Sequence, residues 1–324
     1  MSITDDGPDI ATAVPARRRT RRSRAVKALF AVLSAVLVLI ALDAVVLSAR
    51  IDHITITPTA GAPGETWVIV GSDSRAEIPD GASRATFGTT DQVAGARADI
   101  VLVVHRSPAG AVSTLSIPRD MLLRNSLRQL NRMTLTFQVS PQNLVDSLCT
   151  TLGIPTDHLV VVDFAVFTSV IDDLGGIVVD VPAPVRDAYT GLDLTTAGPQ
   201  RVTGTQALAL VRSRHPEQLV GGRWQLMSDG AQQRTSWGGV IFRTVEQAVA
   251  ASGNPALLQG LAWTVSGAMR TDHSTSLADL AILAQYAGPV VDLPAKSVGD
   301  GFAVAASDDT YSALQAAGFD RTCR

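Results

Sequence analysis

The sequence predicts an α/β fold, a mixed central sheet sandwiched by helices and preceded by one transmembrane helix. Three observations lead there. Short runs rich in β-branched residues alternate with longer segments of helical periodicity, as in a sheet covered by helices. A basic cluster, RRRTRRSR at 17–24, opens onto a long apolar run. The 324 residues, 46% hydrophobic and 18% charged, suffice for one large core and leave little for a second.

Residues 1–24 are polar and basic, with two prolines and no apolar periodicity, and read as a disordered cytoplasmic tail. Residues 25–49 are interrupted only by Lys27 and Asp43. At ~1.5 Å per residue they cross a ~30 Å bilayer core as one helix. A cleaved signal peptide shares this basic-then-apolar signature, but the length and the lack of a small-x-small exit favour an uncleaved anchor. The RR pair is a faint match to a twin-arginine signal, a match that arginine-rich tails produce by chance. Six arginines before Ala25 predict a single-pass cell-membrane protein with its amino terminus in the cytoplasm and everything after about Arg50 outside. Residues 50–65, RIDHITITPTAGAPGE, carry the prolines and glycines of a short tether, so the external domain is expected over 66–324. An external location makes Cys149 and Cys323 candidates for a disulfide, with two buried free thiols as the alternative.

Within the domain, WVIV (67–70), DIVLVVH (99–105), AVSTLSI (111–117), HLVVVDF (158–164) and GIVVDV (176–181) read as buried strands. Helical patterns follow in PQNLVDSLCTTLG, FAVFTSVIDDLGG, QQRTSWGGVIFRTVEQAVAA, ALLQGLAWTVSGAM, SLADLAILAQYAG and DDTYSALQAAGF. Three of them end at glycine, where a C-cap is expected.

Ligands of α/β sheets sit outside strand tips, and here the tips are charged. After WVIV comes GSDSR, with Asp73 and Arg75; Asp99 opens a strand; after STLSI comes PRD, with Arg119 and Asp120. LALVRSRH adds Arg212 and Arg214, on one side of the chain if extended, and Arg223 and Arg234 follow. A single charge at a strand tip is usually just solvated. Carboxylates alone would suit a hard cation and arginines alone a phosphate; both together suit a magnesium-bound phosphate ester. On this reading Pro118 ends the strand and presents Arg119 to phosphate and Asp120 to the cation. No GxxxxGK[ST], GxSxG, HExxH or paired CxxC occurs, and the five histidines are not spaced for zinc, which leaves them surface or capping roles. A net charge of −3 and no helix-turn-helix pattern argue against a nucleic-acid partner.

The ordered series VGSDSR, ARAD, LSIPRD, VDF, DDLGG, GPQRVTGTQAL and VRSRH resembles the extracellular domain of the LytR-CpsA-Psr family, from about Trp67 to Val249. The resemblance implies a transferase that moves a glycopolymer from a polyprenyl-pyrophosphate carrier in the membrane to a peptidoglycan hydroxyl, with Mg2+ as cofactor. It implies that Asp99 and Asp120 bind magnesium, that Arg75, Arg119, Arg212 and Arg214 bind pyrophosphate, and that Asp73 orients an arginine or accepts a proton. Asp73, Arg75 and Arg119 form the expected catalytic set. The chain departs from the family in two places. Arg234, a further expected pyrophosphate ligand, aligns best with the first arginine of a later motif, which leaves Trp237, Gly238 and Gly239 where the family carries RQQ; alternatively Gln232 and Gln233 serve a shifted register. In RQLNRM, Gln129 stands for a family basic residue, flanked by Arg128 and Arg132. A non-catalytic scaffold or sensor binding polyprenyl phosphate or wall polymer is therefore the alternative expectation.

Overall fold

The computed structural model of the chain describes residues 18–72, 97–125, 128–213, 215–227, 230–286, 289–299 and 303–323. Two compact units result, Met1–Val46 and Leu47–Arg324. Helix α1 runs Arg18–Arg50, and its stretch Val26–Arg50 is long and apolar enough to cross a membrane.

The second unit begins β1 (Asp52–Ile54), β2 (Glu65–Ser72), β3 (Ala98–Arg106), β4 (Val112–Ile117), β5 (Leu122–Arg124) and β6 (Leu130–Arg132). It continues α2 (Met133–Val139), α3 (Pro141–Leu152), β7 (His158–Asp163), α4 (Phe164–Asp173), β8 (Ile177–Val181), β9 (Val185–Asp187), β10 (Leu192–Leu194) and β11 (Gly198–Val202). Then come α5 (Gly204–Arg212), β12 (Glu217–Val220), β13 (Arg223–Leu226), α6 (Gly230–Ala251), α7 (Pro255–Ser266) and β14 (Met269–Asp272). Helix α8 (Leu277–Leu283), β15 (Val290–Asp292), β16 (Lys296–Ser297), β17 (Val304–Ala305) and α9 (Asp308–Ala316) complete it.

The central sheet is mixed, in the order β1-β14-β7-β2-β3-β4-β15. Alternation along its strands decides which helices cover which face. Val68, Val70, Val101, Val103, Leu115 and Ile117 pack against Phe137 of α2, Leu144, Leu148 and Leu152 of α3 and Leu314 of α9. Trp67, Val104 and Val160 meet Met269, Val265 of α7 and Leu280 of α8 on the other face. Ile171 of α4, Leu210 and Val211 of α5 and Ile241 of α6 form a further cluster that Ile100 joins. The expected sandwich is therefore present.

Local chemistry fixes the ends of these helices. The Ser140 side chain accepts from the Asn143 amide and Pro141 starts α3, while Gly153, at φ 69°, closes it in the left-handed conformation that glycine adopts without strain. Thr203 and Gln206 form a reciprocal capping box on α5. Cys149, in α3, is bonded to Cys323 with Cα atoms 5.3 Å apart across 174 residues.

Three expectations need correction. Residues 50–65 belong to the folded unit: β1 pairs in parallel with β14 at the sheet edge and Thr59 bridges Thr156, because an open edge offers backbone partners to any extended segment that reaches it. GIVVDV is not a buried strand of the central sheet, for β8 pairs with β11 alone and leaves Val178 exposed. The helix drawn over ALLQGLAWTVSGAM stops at Ser266, and Met269 already begins β14.

Candidate functional site

Strand direction gathers the charged tips at one sheet edge. β2 and β7 are parallel, β3 is antiparallel to β2, and β4 is antiparallel to β3. The ends of β2, β4 and β7 and the start of β3 therefore share that edge, bringing together Ser72, Asp99, Arg119, Asp120 and Asp163. β14 runs antiparallel to β7, so Arg270 arrives there too and pairs with Asp163 at 3.5 Å.

Pro118 ends β4, and the Met121 amide bonds back to its carbonyl at 2.9 Å in a tight turn. The backbone beyond is locked: Arg119 O accepts from Thr134 N at 3.1 Å and Asp120 O from Val304 N at 3.1 Å. Arg119 is 5% exposed and turns its guanidinium onto Asp99, with Nε 3.7 Å from Asp120 Oδ2. Arg132 Nη1 lies 3.6 Å from Asp120 Oδ1. The adjacent cation and anion are thus members of one network in which the buried Asp99, Asp120 and Arg119 are joined from the surface by Arg132, two carboxylates and two guanidinium groups whose charges cancel. Burial without such pairing would be prohibitive.

This edge is also polar beyond its own needs. Ser72 Oγ, Arg97 Nε and Arg119 Nε are buried and have no hydrogen-bond partner among the described residues. Such groups carry a desolvation cost that a polar ligand relieves. A cavity of about 10 Å³ lies among Asp99, Ser116, Arg119, Val211 and Gly238. Asp99 and Asp120 would offer hard oxygen donors to a magnesium ion, the sparse protein ligation that magnesium takes when phosphate and water complete its shell. Among the described residues no set of three metal-binding side chains gathers.

Arg212 is the last residue of α5, not part of an extended run. The capping box and the burial of Ala207, Leu208, Leu210 and Val211 carry the helix through it, and its guanidinium lies 5.8 Å from the Phe164 ring beside the tip of β7. Asp73, Arg75 and Arg214 lie outside the described residues; Arg234 lies in α6, and its side chain is outside them as well. Gln129 is spent on a turn, its amide donating to Asn125 Oδ1 at 2.8 Å beside Arg128 at φ 61°, so Arg132 is the basic side chain that reaches the network.

Asp187 escaped the sequence reading. It is 1% exposed and accepts from Ser213 Oγ at 2.7 Å and from the His215 amide at 3.0 Å, so it fixes the backbone on both sides of Arg214. A lone aspartate in VRDAYTG has no periodicity to reveal this. The histidines also correct the surface expectation. His105 is buried against Phe319, and burial lowers its pKa against the pull of Asp157. His158, at the opposite end of β7, stacks on Trp67 at 4.0 Å, with Nδ1 2.8 Å from Thr275 Oγ1 and Nε2 3.4 Å from Glu65 Oε1. Burial disfavours its charged form, but nearby Asp272, with Glu65 and Asp279, outweighs burial and raises the pKa. Burial of Asp272 is likewise outweighed, by His158, the Ser274 and Thr275 hydroxyls and the Leu159 amide, which hold its pKa far below the ordinary carboxylate range.

Known proteins agree with this architecture. The probable cell wall biosynthesis protein LcpB of Corynebacterium glutamicum is 30% identical over 166 residues, 51% of this chain and 40% of that protein. The chain thus aligns with less than half the length of that relative. The LytR-Csp2A-Psr enzyme from Actinomyces oris is 39% identical and superimposes with a TM-score of 0.72 over 85% of this chain and 98% of its own. TagT bound to LIIa-WTA, at 16% identity, shares the fold with a TM-score of 0.55 over 82% of this chain and 97% of its own. The family model LytR_cpsA_psr matches residues 53–233, a span that runs from β1 into α6 and takes in Asp99, Arg119, Asp120, Arg132 and Arg212, and the chain belongs to that family.

Proposed function

We propose that this protein is a membrane-anchored phosphotransferase that moves a glycopolymer from a polyprenyl-pyrophosphate carrier to a peptidoglycan hydroxyl, with the domain outside the membrane and the amino terminus in the cytoplasm. Family membership supports a part in cell-wall biosynthesis, and TagT with LIIa-WTA supports a glycopolymer ligand. The observation that carries the reading is the Asp99–Arg119–Asp120–Arg132 network at one sheet edge, beside Ser72 Oγ and Arg97 Nε, which are buried without a hydrogen-bond partner among the described residues.

In the reaction the acceptor hydroxyl oxygen forms a new bond to the glycan-bearing phosphorus, the bridging oxygen bond to polyprenyl phosphate breaks, and the hydroxyl proton leaves to a base. Arg119 donates to phosphoryl oxygens, an exchange of anionic partners that loosens its hold on Asp99. The network is neutral, so an arriving pyrophosphate brings uncompensated negative charge. Arg212, with Arg75, Arg214 and Arg234, answers part of it through charge-assisted hydrogen bonds. Asp99 and Asp120 would hold magnesium, which neutralises further phosphoryl charge when bound. Asp73 is the candidate to orient an arginine or take the proton. The test is transfer from a synthetic short-chain lipid-pyrophosphate glycan to a peptidoglycan fragment by the full chain, with and without magnesium. Product that requires magnesium and is lost in Arg119→Ala supports the reading; no product under any condition removes it.

One observation favours a second reading. Gly238, in the place of the family's RQQ, lines the cavity beside Asp99 and Arg119 and contributes no side chain. A scaffold that binds the lipid-linked polymer without transferring it would show saturable binding of the same substrate and no product.

A further inference from the structure

From Gln247 to Met269 the chain carries no charged residue. Helix α7 occupies the middle of this stretch, and Trp263 (47%), Leu258 (37%), Ala256 and Gly260 are exposed on it. Exposed apolar residues are common singly, but a surface helix wholly without charge is not. Beside it opens a groove of about 510 Å³ walled by Leu257, Gly260, Leu261, Trp263 and Thr264, with Asp173 of α4 at its side.

The contacts of Arg50 say what this face meets. Arg50 ends both α1 and the apolar stretch that can span a bilayer, and it belongs to the folded unit that starts at Leu47. Its guanidinium lies 3.9 Å over the Trp263 ring, with Nε 3.3 Å from Ser266 Oγ and Nη2 3.3 Å from Trp263 O. A Cβ at Gly267 would overlap that guanidinium, so the glycine is what lets it seat. The cation also sits at the C-terminal end of α7, where the helix dipole favours it. A residue at the end of a spanning helix is, by chain connectivity, at the membrane–water boundary, and α7 is clasped to it. Tryptophan and arginine are the side chains that settle at that boundary.

We infer that α7 lies in the outer headgroup region of the bilayer, with the face that carries Ala256, Gly260 and Trp263 at the boundary between headgroups and acyl chains. The helix takes lipid by apolar burial and not by charge attraction, since α7 itself carries no charge and Arg50 and Asp173, of opposite sign, flank it. This rests on α1 spanning the membrane and is independent of the transfer chemistry.

The test uses the full chain in phosphatidylcholine vesicles, with a fluorophore on Gly260→Cys, a position where an added side chain meets nothing. The two native cysteines are bonded to each other and do not take the label. The expected result is strong quenching by lipids brominated near the headgroup and protection from aqueous iodide; Gln315→Cys, at an exposed position of α9, should show the reverse. Intrinsic fluorescence should lose most of its bromolipid quenching in Trp263→Phe. A chain that floats with the vesicles while position 260 stays open to iodide overturns the proposal and leaves the span intact. A chain that does not float overturns both. Protection at position 260 that vanishes on dilution into excess lipid would mean that a second copy covers α7, which also overturns it.

Discussion

Arg119→Ala gives the sharpest test of the network. Arg119 is 5% exposed and the Asp99 and Asp120 side chains 8% each, so removing the guanidinium leaves two buried carboxylates with like charge. Arg132 is 46% exposed and 3.6 Å from Asp120, too solvated to replace it. Breaking a buried ion pair by deleting one partner costs about 3–5 kcal/mol. At about 2–4 °C per kcal/mol for a domain of this size, the apparent Tm should fall by roughly 6–20 °C. Asp120→Asn keeps the Arg119–Asp99 pair, and its cost should be nearer 1–3 kcal/mol. The two carboxylates stripped of their guanidinium become a stronger magnesium site, and ligand at a hundredfold excess over Kd stabilises by about 2.7 kcal/mol. Magnesium should therefore raise the Tm of Arg119→Ala by more than that of the parent chain. The assay is thermal unfolding of the full chain in nanodiscs, followed by near-ultraviolet circular dichroism across a magnesium titration. A loss below about 1 kcal/mol would mean that the carboxylates are not buried against Arg119. An equal magnesium response in both chains would refute the two-carboxylate site.

Three further outcomes are expected. His158 has a folded-state pKa raised above 6.5, so its contribution is complete below that value and fades as pH climbs through the raised one; the Tm advantage of the parent over His158→Gln should shrink from pH 6 to pH 8, and a constant gap would sink the linkage. At Gly204 an added Cβ would overlap the Thr168 carbonyl oxygen and lie 2.6 Å from its Cα, so Gly204→Ala should cost about 1–3 kcal/mol in a denaturant titration, while Gly260→Ala, in an open helix interior, should raise stability by about 0.5–1 kcal/mol. Intact mass should rise by two hydrogens on reduction of Cys149–Cys323, and Cys323→Ser should lower stability by at most about 5 kcal/mol, the entropic ceiling for so long a loop.

The central strands were legible because burial on both faces writes a continuous β-branched run, as in DIVLVVH, and α3 was legible because Ser140, Pro141 and Gly153 mark its ends. The site was legible where charge breaks such a run: Asp99, Arg119 and Asp120 stand at strand tips, and the topology joins them. Their mutual pairing was not legible, since nothing local says that Arg119 turns back on Asp99 across two strands. The helical setting of Arg212 was not legible in LALVRSRH itself, because the capping box that starts the helix lies upstream at Thr203 and Gln206. β1 was missed because three residues pairing with β14 at the other end of the domain leave no periodic trace. The paired setting of the partly buried His158 was not legible for a related reason: its partners, Glu65 and Asp272, come from distant segments.

The bond between Cys149 and Cys323 sets an order of events during biosynthesis. Synthesis proceeds from the amino terminus, so Cys149 emerges 174 residues ahead of the only thiol it can pair with in this chain. At about 5–20 residues per second the gap lasts roughly 9–35 s. Throughout that interval β7, β14 and most of the helices must be made and packed while one cysteine waits reduced. The last turn of α3 encloses it: Cys149 is 7% exposed and Leu148 fully buried in the same turn. The bond therefore cannot close before Cys323 has been made, and a chain truncated ahead of it would keep an unpaired thiol in α3.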